Sequence, residues 1–410
     1  MEGVNSENNE KLERQILATI AYYDILNYPL TSFEVFLYLI NDDGKLESVR
    51  LRRIRHRRRN WKLDNNEKQE DDANCKLPIA NYQSLFTICD LLDSSEYLKK
   101  YAGRKWGFYF LKKNPPDPPV RLSLRAGSYQ GGDKNIKLES ANRFHGPEAG
   151  TMEPSDGADI VQKRLDGRKI ADGKWKKAKK IYRIMQAVPF LRGVLISGSL
   201  ALGSSRKNSD VDIMVIAKNG RIWTVRVFLT ALIFLLGVRR NEKNTKDKIC
   251  LNHYITDKSL QIPFFSLYDA HLYSHLINVY DDKDSVKMFQ DFQKNNIWIK
   301  NYVQNYSLSE LRFSTSVGKN MALVFIAKIF EFILSGKIGD YFEKTLSRIQ
   351  IAKIKKNPSF KNKNGRITIS DDQLEFHPKL QEKVIIPEFN KRMKELGLLE
   401  FANQKESGTD

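Results

Sequence analysis

Cysteine is scarce: the 410-residue chain has three, Cys75, Cys89 and Cys250. Their spacing matches no metal motif, and an odd number argues against a disulfide framework. A reducing cytoplasm is the expected setting. The polar N-terminus, MEGVNSENNEKLERQ, lacks the apolar core of a secretory signal. Long apolar runs are lacking too. The longest, 222–238, is short for a bilayer and interrupted by Arg226, so it is expected to be a buried helix, with no membrane span. Acidic residues are outnumbered, 49 against 68 Lys and Arg, which leaves a formal net charge of +19. That balance favours polyanionic partners, whether nucleotides, nucleic acid or an acidic membrane surface. A hydrophobic share of 41% with 29% charged residues excludes a disordered chain. The length calls for two or three domains.

Helical spacing of Leu12, Ile16, Thr19, Ile20 and Tyr23 predicts a helix over 11–24. Pro29 breaks the chain, and Thr31 or Ser32 can cap a second helix over 33–40. A third helix is expected over 82–98 and a strand over 106–111. Three helices and a terminal strand are the parts of a winged helix-turn-helix, or of a small helical domain without a nucleic-acid role. Between them, 45–72 carries Arg50, Arg52, Arg53, Arg55, Arg57, Arg58 and Arg59. Such a run is a solvated face or a phosphate-binding arm. Residues 115–159, rich in Pro, Gly, Ser and Asn, are expected to be a linker or insertion. A new helix begins near Ile160, with Trp175, Ala178, Tyr182 and Met185 on one face.

The most informative segment is GVLISGSLALG over 193–203, followed by SDVDIMVI over 209–216. The first part predicts a strand ending in a small-residue turn. Gly198 permits an unusual backbone conformation there, and Ser199 adds a hydroxyl. Backbone N–H groups of such a turn form an anion site. The second part predicts a strand in which Asp210 and Asp212, two apart, face together. Adjacent carboxylates repel unless a cation sits between them, and magnesium, or manganese in its place, answers that with hard oxygen ligands. Arg206 and Lys207, in the intervening loop, are placed to neutralise a triphosphate or to lie in solvent.

A Gly-Ser pair, a spacer of about ten residues and Asp-x-Asp within a strand resembles the nucleotidyltransferase superfamily of DNA polymerase beta. The matching residues are Gly198 and Ser199, then Asp210 and Asp212, with Ser209 at the frequent Ser before the first Asp. The resemblance implies that Ser199 contacts nucleotide phosphate and that the two aspartates bind magnesium. More widely, the order AYYDILNYPLT, GFYFLKK, the motif, GRIWTVR, KICLNHYIT, NIWIKNY and ITISDDQLEFHP resembles a poorly characterised bacterial family. Its members join an N-terminal winged-helix-like region to a nucleotidyltransferase domain and a helical tail. The resemblance implies an α/β (α+β) fold with a central mixed sheet. The expected divisions are 1–114 (winged-helix-like, with the Arg-rich insertion), 115–159 (linker), 160–265 (nucleotidyltransferase) and 266–410 (helical).

One departure matters. The superfamily places a third carboxylate on a later strand, as general base and second-metal ligand. The corresponding strand, 248–256, contains no acid. Asn252 sits near that position, Asp247 and Asp257 flank the strand, and His253 should point to the opposite face from Asn252. Asp247 is the first candidate for a base. His377 follows an expected strand, 366–370, without an evident partner, and 321–342 is expected to pack as the core of the helical tail, with a partner-binding helix as the alternative. The expected function is transfer of a nucleoside monophosphate from a nucleoside triphosphate to a hydroxyl of protein, RNA or a small molecule. The alternatives are a nucleotide-binding regulator with a DNA-binding N-terminal domain, and a scaffold that retains only the fold.

Overall fold

Helical periodicity at one end of the chain builds a first core, and strand alternation at its centre builds a second that the sheet divides between its two faces. A computed structural model describes residues 2–41, 79–113, 157–240, 245–306, 316–356, 365–377 and 380–407. The Arg-rich stretch 45–72, Cys75 and residues 115–156 of the expected linker lie outside the described residues.

The first core begins with α1 (Glu2–Ile25) and β1 (Leu30–Thr31). α2 (Ser32–Leu37) is started by a capping box, in which Thr31 accepts from the Glu34 backbone and Glu34 returns to the Thr31 N–H. α3 (Ile79–Ser94) and α4 (Glu96–Tyr101) follow, divided where Ser95 caps the second of them. The hairpin β2 (Ala102–Lys105) and β3 (Phe108–Leu111) turns through Trp106 and Gly107, both with positive φ. These strands form a three-stranded antiparallel sheet in the order β1-β3-β2. Ile16, Leu17, Ile20, Tyr22 and Tyr23 of α1 are all buried, because α1 is covered on several sides. One cover comes from the far end of the chain, where Ile385, Ile386, Phe389 and Met393 join the same core.

The second core surrounds a six-stranded mixed sheet. α5 (Gly157–Met185) leads into β4 (Leu191–Ile196), the short α6 (Gly198–Ala201), β5 (Val211–Ala217), α7 (Ile222–Leu235) and β6 (Ile249–Thr256). Then come α8 (Leu267–Ser274), β7 (Ile277–Asn278) and α9 (Lys283–Asn295). α10 (Met321–Ile333), α11 (Gly336–Lys356), the hairpin β8 (Arg366–Ile369) and β9 (Gln373–His377), and α12 (Glu382–Glu395) complete the chain. The strand order is β7-β4-β5-β6-β9-β8, and only β5 and β6 run parallel. The sheet thus takes β7, β8 and β9 from beyond residue 265.

The architecture is mixed α/β. Val211, Ile213, Val215 and Ala217 face the core under α5 and α7, together with Tyr182 and Trp223. Met214 and Ile216 face the opposite core with Ala270, Tyr273 and Phe292 of α8 and α9. Each such buried aliphatic side chain contributes about 1.5–3 kcal/mol relative to exposure, so β5 is fixed in register by both faces. Among the described residues no helix is long and apolar enough to cross a membrane; α7 buries Ile222, Trp223, Val225, Leu229 and Ile233 as expected, but its end departs from that, with Phe234 67% and Leu235 80% exposed. The expected packing of 321–342 is a different matter. In α10 only Ala327 is buried, whereas Phe325 is 67% and Phe332 82% exposed.

Candidate functional site

β4 ends at Ile196, and the chain turns through Ser197 into α6. The Ser197 N–H donates to the Asp212 carbonyl at 3.1 Å, so the turn is tied to β5 by its backbone. Gly198 has φ +66, and a Cβ added there would lie 2.8 Å from Asp212 Oδ2. Glycine is therefore required twice, by conformation and by the carboxylate beside it. Ser199, half-buried, occupies the first turn of α6.

Asp210 and Asp212 converge as their spacing predicts. Their carboxylate oxygens and Cys250 Sγ lie within 4.8 Å of one another. Cys250 pairs directly with Asp212 across the parallel β5–β6 ladder. Burial pushes the Cys250 thiol up, which keeps it protonated and a poor ligand. The useful donors are oxygens, which suit a hard divalent cation. Burial, and then the neighbouring Asp210, push Asp212 up to about 7. Arg240 Nε sits 2.9 Å from Asp210 Oδ2, and its Nη1 donates to Cys250 Sγ at 3.2 Å. No sequence pattern marks Arg240, which follows α7 and arrives by backbone bonding to Ile249.

The place sought for a third acid belongs to Asn252, whose Nδ2 donates to Asp212 Oδ1 at 3.2 Å. Asp247 approaches Ser209 by backbone, its N–H donating to the Ser209 carbonyl at 3.3 Å. Its carboxylate, however, is taken by Lys177 at 2.7 Å and Lys174 at 3.3 Å. Partial burial alone would raise Asp247; hydrogen bonds from Lys177 and Lys174 hold it below the ordinary carboxylate range. Lys174, 3% exposed on α5, also donates to the Ser209 hydroxyl at 3.1 Å and to its carbonyl. Ser209 is thereby a clamp on the approach to Asp210. Arg206 and Lys207 lie exposed on the loop. Arg221 pairs with Asp340 at 2.6 Å and Arg226 donates to Gln350 at 2.5 Å, so both face α11.

The face expected for His253 is corrected by a register shift. In β6, Leu251 pairs with Ile213 but His253 with Met214, leaving Asn252 as an extra residue. A bulge of this kind breaks simple alternation. His253 consequently shares the sheet face of Met214, the same face as Asp212. It lies opposite Glu375 of β9, and His377 is two residues further along that strand. His377 is thereby brought near an acid, its Nε2 3.6 Å from Glu375 Oε1, beyond hydrogen-bond reach. Burial, then His377 and Arg366, take His253 down to about 3, and burial with Arg366 takes His377 down to about 4, so both imidazoles are neutral.

No family model, no curated protein and no solved structure matches this chain.

Proposed function

We propose that this chain binds a nucleoside triphosphate with magnesium, or manganese, at Asp210 and Asp212 and transfers the nucleoside monophosphate to an acceptor hydroxyl. The observation that carries this is the convergence of the two carboxylates against the Gly198 turn, where glycine leaves room for Asp212. The succession β4, α6, β5, α7, β6, antiparallel and then parallel, supports a nucleotidyltransferase fold of the polymerase beta type. The helices α1 to α4 with a small three-stranded sheet support a winged-helix-like N-terminal region.

In the transfer, the acceptor oxygen forms a bond to the α-phosphorus, the bond to pyrophosphate breaks, and the hydroxyl proton leaves to solvent. A bound metal ion supplies neutralisation of the phosphates and of the leaving pyrophosphate. Asp210 and Asp212 provide its oxygen ligands. Gly198 and Ser199 line the phosphates with N–H and hydroxyl donors. Asn252 orients Asp212 but cannot take a proton. Arg240 now neutralises Asp210 and must share or yield that oxygen when a metal ion binds.

A second reading, nucleotide binding without transfer and signalling through the N-terminal region to nucleic acid, is favoured by Asn252 in the third-acid position. The two are separated by incubating the chain with each nucleoside triphosphate labelled at its α-phosphate, with magnesium or manganese and protein, RNA or small-hydroxyl acceptors. Label transfer that disappears in the Asp210→Asn, Asp212→Asn double variant supports the enzyme. Calorimetric binding that depends on both aspartates, with no acceptor labelled, supports the regulator. Equal binding in the double variant, or none in either protein, removes both.

A further inference from the structure

A second constellation lies further along β6, apart from the aspartate pair. His253 on β6 and Glu375 and His377 on β9 offer ligand atoms that all lie within 4.8 Å of one another. The pairing of His253 with Glu375 puts them on one face, and the i, i+2 spacing adds His377. Glu375 is 0% exposed, yet among the described residues neither of its carboxylate oxygens has a hydrogen-bond partner. A buried carboxylate without such partners is costly.

The surrounding charge deepens the deficit. Arg366 is the guanidinium that serves this corner. Its Nη1 and Nη2 grip Asp269 at 2.7 and 3.0 Å, and Nη2 also reaches Glu382 at 2.9 Å. Only a looser 3.6 Å approach of Nη1 is left for Glu375. Among the described residues, Asp269, Glu375 and Glu382, each 0% exposed, thus share the charge of Arg366. A dication beside Glu375 would balance them. The spacing suits one: His377 Nε2 and Glu375 Oε1 are 3.6 Å apart, close to the edge of about 3.4 Å in a tetrahedron with zinc–ligand bonds of about 2.1 Å. The Gln373 amide nitrogen lies 3.2 Å from His253 Nε2. A half-turn of that amide presents its carbonyl oxygen instead.

We propose that His253, Glu375 and His377 form a binding site for a first-row transition-metal dication of the zinc type. Two imidazoles and one carboxylate select such an ion over magnesium, which prefers oxygen donors alone. The site is separate from the aspartate pair and does not depend on its chemistry. It clamps β9 to β6, and so fastens the β8–β9 hairpin to the central sheet.

The test uses the full chain without a histidine tag, stripped by chelator and titrated with zinc and with cobalt(II). One equivalent of zinc should bind, and cobalt should give the intense visible bands of a four-coordinate site. His377→Gln, at the rim of the cluster, should lose at least tenfold in zinc affinity while its circular dichroism spectrum is unchanged. Glu375→Gln should lose the cobalt bands as well. The Asp210→Asn, Asp212→Asn variant should keep both signals, whatever becomes of its nucleotide binding. Absence of zinc binding, or binding that survives His377→Gln and is lost with the aspartates, overturns the site and leaves Glu375 as a buried neutral acid.

Discussion

Gly198 and Asp212 touch across the turn between β4 and β5: a methyl group at 198 would fall 2.8 Å from Asp212 Oδ2. Gly198→Ala therefore combines left-handed strain with displacement of a ligand carboxylate. Gly203 has nearly the same conformation, φ +65, but nothing within 4 Å of the added carbon. Both variants should lose about 1–2 kcal/mol of stability from the backbone. Only Gly198→Ala should also weaken magnesium-dependent nucleotide binding, by about tenfold or more, the equivalent of about 1.4 kcal/mol. Equal nucleotide affinities in the two variants, measured by calorimetry, would contradict the role given to this contact.

Asn252→Asp restores a third carboxylate where the amide now donates to Asp212. With chelator present, three clustered acids repel and the melting temperature should fall. With magnesium the order should reverse, and transfer should rise about tenfold or more if a base was the missing part. A variant whose stability ignores magnesium would show that the carboxylates do not share an ion.

Asp247→Asn should leave transfer within about threefold of the parent, because Lys174 and Lys177 already occupy this carboxylate. The expected damage is structural, about 1–2 kcal/mol from weakened charged hydrogen bonds. Loss of transfer with nucleotide binding intact at saturating substrate would instead make Asp247 the base.

Glu331 fastens α10 to the start of β4, accepting from the Phe190 N–H and from Arg192, each at 2.8 Å. Although partial burial would raise it, the bonds from Arg192 and Lys328 hold its carboxyl below the ordinary value of 4.5. The folded state therefore binds fewer protons here than the unfolded one. This stability is present above about pH 4.5 and is lost as the pH falls through the lower folded value. Glu331→Gln should melt earlier at pH 7, by about 1–2 kcal/mol, and the gap to the parent should narrow at pH 3. A constant gap across that range would assign the effect to packing rather than ionisation.

Much of the aspartate site was legible because it is local. Asp210 and Asp212 belong to one strand, and the apolar alternation that buries Val211 and Ile213 also aligns the carboxylates. Thr31, one of the two residues expected to cap the second helix, likewise acts locally, on the Glu34 backbone three residues on. The parts that stayed hidden depend on non-local pairing. Lys174 and Arg240 come from elements whose approach to Asp210 no spacing encodes. The extra residue at Asn252 carries no glycine or other mark of a bulge, yet it decides which face His253 takes. Glu375 meets His253 only because a distant hairpin adds to β6. α10 misled for another reason. An all-round apolar helix reads as interior, and only the folded chain shows Phe325 and Phe332 in the open.

Arg164 gives the N-terminal region a hold on the turn that follows Gly198. Its guanidinium donates to Gly203 O at 2.9 Å and to Glu34 at 2.8 Å, and lies 3.7 Å over the Tyr28 ring. Tyr28 in turn donates to Leu202 O at 2.6 Å. The residues that close the turn are thus fastened to α2 and its cap rather than left to α6 alone. Reciprocity follows from thermodynamics. A ligand that displaces Glu34 or Tyr28 and thereby changes affinity at the turn must have its own affinity changed by the same factor when the turn is occupied. Where such a displacement alters the turn, the two ends of this contact share one free-energy balance, and each records the other's occupation.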